Sequence, residues 1–134
     1  MYRVLVVDDY PDAAQVMGTL VTLLGHDVRS ATSGAEAIAI AESYQPHLAL
    51  VDIGLPDISG FDVARALRAQ AGHRPLFLVA ITGWGQPEDR VRAIAAGFDV
   101  HQLKPIDRAV LRRLLALAGA RLDAGVTSAE ADRT

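Results

Sequence analysis

Five short apolar runs punctuate the chain, and turn formers and a stretch of apolar residues at three- and four-residue spacing follow each one. Arg3-Val4-Leu5-Val6-Val7 ends at Asp8-Asp9, and His47-Leu48-Ala49-Leu50-Val51 ends at Asp52. Leu76 to Ile81 ends at Thr82, Asp99 to Leu103 ends at Lys104-Pro105, and Asp27 to Ala31 is a weaker run. Unbroken apolar segments of this length are how strands buried on both faces of a parallel sheet read. Five helices are expected to alternate with them. Pro11 fits a first helical turn, with Val16, Met17, Leu20, Val21 and Leu24 inward before Gly25 stops the helix. Ser33-Gly34-Ala35-Glu36 has the form of a capping box and opens a second helix with Ile38 and Ala41 inward. A third runs roughly from Ser59 to Gln70 with Val63, Ala64 and Leu67 on one face, closed by Gly72 and Pro75. Glu88 and Asp89 begin a fourth with Val91, Ile94 and Ala95 inward, stopped by Gly97. Asp107 caps a fifth through Val110, Leu111, Leu114 and Leu115.

Strict strand–helix alternation requires right-handed crossovers and a parallel sheet covered on both faces. The expected class is therefore α/β, a doubly wound, flavodoxin-like sheet of five strands in the order 2-1-3-4-5 with five helices. In such folds ligands bind beyond the carboxyl ends of the strands, where the strand order reverses. That edge carries Asp8-Asp9, Asp52, Thr82 and Lys104. Taken singly, each is an ordinary strand-end residue, since Asp, Thr and Lys-Pro commonly cap helices or sit in solvated turns. Their joint placement on one mouth is what points to chemistry. His26, His47 and His73 lie at turns or element edges without a metal-ligand arrangement and are read as structural.

Three carboxylates brought together raise each other's pKa, and a hard divalent cation with oxygen ligands relieves the crowding. Mg²⁺ suits a small open carboxylate cluster that has water and phosphate oxygens available. A carboxylate beside it can attack phosphorus to give an acyl phosphate. Lys104 would neutralise charge on the phosphoryl group, and the Thr82 hydroxyl would donate to one of its oxygens. Composition narrows the partners. The chain has 134 residues and no cysteine, which excludes disulfides, thiol catalysis and thiolate metal sites. A net charge of −3 with scattered basic residues argues against a nucleic-acid surface. Neither an apolar run of about 18 residues nor an N-terminal signal is present, so no membrane association and a cytoplasmic location are expected.

The segments VLVVDD, LVDIGLPDISGFD, AITG and LKP, in this order between Tyr2 and Ala118, resemble the response-regulator receiver domain of two-component signalling. The resemblance implies that Asp52 is the phosphoacceptor and that Asp9 is a direct Mg²⁺ ligand. Asp8 would act largely through water, and the Gly54 carbonyl would be a further ligand. It gives Thr82 and Lys104 the switch and phosphate-contacting roles and makes the Lys104-Pro105 bond cis. Three residues before Lys104 the family usually carries Tyr or Phe, which swings inward on phosphorylation. This chain has His101, which would add pH sensitivity to such a swing. Trp84, two residues past Thr82, is expected to shield the phosphoryl group from water.

The partners implied are a sensor histidine kinase or a histidine phosphotransfer protein, a downstream protein partner, and at most a weak homodimer. The signal would leave through the fourth helix, fifth strand and fifth helix, Gln86 to Leu117. The expected boundaries are one receiver domain over 1–120 and a polar C-terminal tail over 121–134, in a stand-alone receiver or one cut from a hybrid kinase. Two alternatives stay open: a phosphorylation-independent module of the same fold, and a phosphohydrolase working through an aspartyl phosphate.

Overall fold

The computed structural model describes residues 1–83 and 87–123. They form β1 (Arg3–Val7), α1 (Pro11–Leu23), β2 (Asp27–Ala31), α2 (Gly34–Tyr44), β3 (Leu48–Asp52), α3 (Gly60–Ala71), β4 (Phe77–Thr82), α4 (Pro87–Ala96), β5 (Val100–Leu103) and α5 (Arg108–Asp123). The strands pair in parallel in the order β2-β1-β3-β4-β5. This is the doubly wound, flavodoxin-like sheet expected from the alternation. The three central strands are buried almost throughout, whereas β2 and β5 at the edges are partly exposed, which is why the second run was the weakest signal.

Period-two alternation sorts the strand residues into two cores. Leu5, Val7, Ala49, Val51, Leu78 and Ala80 face α2, α3 and α4. Val4, Val6, Leu48, Leu50, Val79 and Ile81 face α1 and α5. The same alternation carries past the apolar runs, sending Asp52 toward the α1 side and Thr82 toward the α4 side.

The helix faces differ from the expected ones wherever alanine and glycine compete with larger residues. In α1 the buried positions are Ala14, Gly18 and Val21, and Val16, expected inward, is 61% exposed. In α2 Ala37, Ala41 and Tyr44 are buried, while Ile38 is only partly so. In α4 the correction is complete: Ala93 and Ala96 face the core, and Val91, Ile94 and Ala95 are exposed, the first two by 69% and 47%. Small side chains let a helix axis approach the sheet closely, so in a thin three-layer fold they take the inner stripe and displace bulkier neighbours outward. α3 and α5, whose inner stripes hold Leu and Val, match the expected faces.

α5 runs through Asp123, so residues 121–123 are helical. The Tyr2 hydroxyl donates to Asp123 at 2.8 Å, and Arg121 lies 3.7 Å from Asp99. At the same end of the sheet two histidines hold the start of β1. The Tyr2 amide donates to Nδ1 of His26 at 3.1 Å, and the Arg3 amide donates to Nδ1 of His47 at 2.8 Å. The Tyr2 ring stacks on His26 and meets His47 edge-on. An imidazole accepting at Nδ1 has no proton there.

Burial lowers the pKa of both rings, helped at His26 by the amino terminus and at His47 by Arg3, Arg74 and the amino terminus. A depressed folded-state pKa means that the unfolded chain takes up protons first, so this stabilisation is present above about pH 6.5 and is lost as pH falls through the folded-state values. Thermal melts from neutral to mildly acidic pH should therefore show a falling midpoint. The fall should be smaller in the His26→Asn/His47→Asn double variant, whose amide oxygens accept without titrating.

Candidate functional site

The ends of four strands, β1, β3, β4 and β5, deliver the polar side chains to the carboxyl edge of the sheet. β1 ends in Asp8 and Asp9, with the Asp8 amide bonded to the Ala31 carbonyl at 3.0 Å and the Asp8 carboxylate accepting from the Tyr10 amide at 2.9 Å. β3 ends in Asp52. Oδ1 of Asp52 accepts from the Gly54 amide at 2.8 Å, and Oδ2 takes the Lys104 ammonium at 2.8 Å. β4 ends in Thr82, whose carbonyl accepts from the Lys104 amide at 2.8 Å, and the Lys104–Pro105 peptide bond is cis. Asp52 and Thr82, 9% and 5% exposed, are the buried polar residues among those described.

One carboxylate oxygen from each of Asp8, Asp9 and Asp52 lies within 4.8 Å of the others. The electrostatic consequence appears at Asp8, where burial pushes the carboxyl pKa up and the charges of Asp52 and Asp9 add to it, against the Tyr10 amide and Lys104. The Lys104 pKa is raised as well, which for a base favours the charged form: its hydrogen bond to Asp52 is the main cause, with the neighbouring carboxylates contributing and burial opposing. The cluster thus holds more negative charge than one ammonium offsets, and all its donors are hard oxygens. These are properties that a small divalent cation fits.

The loop from Asp52 to the start of α3 is closed tightly. The Gly60 amide bonds to the Ile53 carbonyl at 3.3 Å, and the Ile53 amide bonds to the Ile81 carbonyl at 3.0 Å. A Cβ on Gly60 would collide with the Ile53 backbone, so this closure requires glycine. Ser59 caps α3 through the Asp62 amide. A cleft of about 580 Å³ opens beside Asp8 and Asp52, walled mainly by apolar atoms of α1 and of the segment after β5, including Tyr10, Val16, Met17, Pro105 and Ile106.

A search with family models matches residues 4–116 to the response regulator receiver domain. The chain belongs to that family. Among curated relatives, this receiver is 37% identical over 111 residues to the probable transcriptional regulatory protein TcrX of Mycobacterium tuberculosis, covering 81% of this chain and 47% of TcrX. It is 31% identical over 121 residues to the DNA-binding dual master transcriptional regulator RpaA of Synechocystis, covering 84% of this chain and 50% of RpaA. The receiver therefore spans about half the length of these relatives. In three dimensions it is similar to the Vibrio cholerae chemotaxis protein CheY4, with a TM-score of 0.83 at 26% identity over 88% of this chain and 98% of that one. The receiver is a signalling module of two-component systems, and none of its described helices is long and apolar enough to cross a membrane.

Of the residues singled out from the sequence, the structure brings Asp8, Asp9, Asp52 and Lys104 into one cluster, with Gly54 bonded to it and Thr82 on the adjoining strand end. Trp84 lies outside the described residues. His101 pairs with Ala80 in the β4–β5 register and so shares the sheet face of Ala80 and Thr82. Its Nε2 is buried and has no hydrogen-bond partner among the described residues. Asp57, which the sequence pattern does not single out, reaches across to the start of α2, a contact that no local pattern announces. The cleft residue Tyr10 was also passed over, because an aromatic between two acids and a proline carries no periodic signal.

A buried, unpaired ring nitrogen costs about 1–3 kcal/mol. His101→Phe, which removes it at similar volume, should stabilise the receiver by about 1 kcal/mol in urea denaturation at neutral pH.

Proposed function

We propose that this receiver accepts a phosphoryl group on Asp52 from a phosphohistidine of a sensor histidine kinase or histidine phosphotransfer protein, with Mg²⁺. Its phosphorylation state then sets the affinity of a downstream protein for the α4–β5–α5 face. The observation that carries this reading is the clustering of Asp8, Asp9 and Asp52 within 4.8 Å, with Lys104 ion-paired to Asp52.

An oxygen of the Asp52 carboxylate attacks phosphorus. A P–O bond forms as the P–N bond breaks, and the departing imidazole nitrogen keeps the electron pair and takes a proton. Asp9 and Asp52 would hold the metal through their carboxylates and Gly54 through its carbonyl, with Asp8 acting through water. When bound, Mg²⁺ supplies the positive charge that offsets the transferred oxygens. Lys104 stands against Asp52 before transfer and would hold a phosphoryl oxygen after it. The Thr82 hydroxyl would donate to another, drawing the end of β4 inward and shifting the surface beyond it.

Two exposed apolar regions support protein partners on either side of the site. Tyr10 and Val16 stand out at the cleft mouth beside Asp8, where a phosphodonor protein would approach, and Val91, Ile94 and Leu103 stand out on α4 and β5. The surplus carboxylate charge makes the metal itself a stabiliser, because a group whose folded pKa is raised costs stability once pH exceeds that value. At about 100 times its Kd, Mg²⁺ should stabilise the folded chain by about 2.7 kcal/mol at neutral pH. Thermal melts with MgCl₂ against NaCl of equal ionic strength should show this rise, and Asp9→Asn should abolish it.

The deciding test is intact mass after incubation with acetyl phosphate. A gain of one phosphoryl group that depends on Mg²⁺ and disappears in Asp52→Asn is expected. No gain in the wild-type chain overturns the reading in favour of a phosphorylation-independent module.

A further inference from the structure

Asp57 sits in the loop between β3 and α3 but bonds to another element. Its Oδ1 accepts from the Gly34 amide at 2.9 Å and its Oδ2 from the Ala35 amide at 3.0 Å. These are the first two N–H groups of α2, which have no partner within the helix. The next donor, Glu36, is served locally by the Ser33 hydroxyl, and the Glu36 carboxylate returns to the Thr32 amide. So α2 carries its own local cap and, on top of it, a carboxylate from a loop 22 or 23 residues away in sequence. The approach is close enough that a Cβ on Gly34 would come within 2.9 Å of the Val63 side chain and 3.0 Å of Ile58.

The turn that Asp57 grips also holds the other acidic loop, because the Ala31 carbonyl, three residues before Gly34, accepts the Asp8 amide at 3.0 Å. With the β1–β3 pairing at Val7–Val51, these bonds close a ring: Asp8 to Ala31, along the chain to Gly34 and Ala35, across to Asp57, back through Pro56 and Leu55 to Gly54 and Asp52, and across the sheet to β1. Resting on the metal reading above, we propose that Asp57 is a positioning residue for the acidic cluster, setting the spacing between the loop of Asp8 and Asp9 and the loop of Asp52 and Gly54. The Asp57 carboxylate is taken up by the Gly34 and Ala35 amides and lies outside the Asp8–Asp9–Asp52 cluster. Asp57 acts by fixing one strand end against another, as outer-shell carboxylates do at metal sites.

The test uses the full chain and three variants. Asp57→Ala removes both acceptors, and Asp57→Asn keeps the shape with a single acceptor oxygen. Ser33→Ala weakens the same helix end through the Glu36 amide but leaves the loop untouched. Calorimetric titration with Mg²⁺ should show binding about tenfold weaker in Asp57→Ala and an intermediate loss in Asp57→Asn. Ser33→Ala should lower the thermal midpoint yet leave Mg²⁺ affinity unchanged. In the wild type, Mg²⁺ should slow hydrogen exchange at the Gly34 and Ala35 amides, since coupling between two sites is reciprocal. That readout stands even where Asp57→Ala does not fold.

Unchanged affinity in folded Asp57→Ala, an equal loss in Ser33→Ala, or exchange at Gly34 and Ala35 indifferent to Mg²⁺ overturns the positioning role alone. A wild-type chain that binds no Mg²⁺ overturns the metal reading and this role with it.

Discussion

Like charges held at close range are the constraint on which the architecture turns. Asp8, Asp9 and Asp52 crowd one another at the mouth of the sheet, with a single ammonium, Lys104, bonded among them. No local sequence preference would leave carboxylates so arranged, and the arrangement persists because the strands beneath over-determine it. β1 and β3 are neighbours, paired from Val4–Leu48 to Val7–Val51, and both are sealed into apolar layers on each side. Sliding either strand to relieve the repulsion would expose a row of fully buried Leu and Val side chains, at about 1.5–3 kcal/mol each. The repulsion is local and the burial extensive, so the burial wins. An unfavourable electrostatic arrangement is thereby kept in place, of the kind that a small divalent cation relieves.

The loops do the rest of the holding, and each uses a different device. Gly60 lets α3 begin against the Ile53 backbone, which draws the strand end and the helix start together behind Asp52. Arg68 ties the far end of the same layer, donating to the Leu76 and Gly97 carbonyls and pairing with Asp99, which also accepts the Leu78 amide. The carboxylate edge is thus braced from both ends of β4.

Strand positions were legible in the sequence because a parallel strand buried on both faces has an unmistakable composition, and Leu48-Ala49-Leu50-Val51 is one. The shared edge of Asp8, Asp52, Thr82 and Lys104 followed from the same runs, since topology alone sends these strand ends to one side of the sheet. Helix faces were less legible. Val91 and Ile94 satisfy a helical spacing as well as Ala93 and Ala96 do, and hydrophobicity favours the wrong pair. Only the distance between α4 and the sheet decides between them, and that distance is a property of the whole fold. Long-range bonds such as Asp57 to Gly34 and Ala35 were invisible for a related reason, because an aspartate in a turn has the same local appearance whichever amide it meets.

The free edge of β2 has a consequence for how copies of the chain can meet. An unpaired strand edge is a template for extending the sheet from one molecule into the next, and soluble folds blunt such edges with charge. Here Asp27 and Arg29 stand on that edge, and α2 locks both in place. The Tyr44 hydroxyl bonds to Asp27, and the Arg29 guanidinium lies 4.8 Å above the Tyr44 ring. A second strand laid along β2 would bring its side chains beside these two charges and desolvate them. Strand-to-strand growth is thereby opposed along β2, one of the two edges of the sheet, so the sheet is guarded by charge on the side nearest α2.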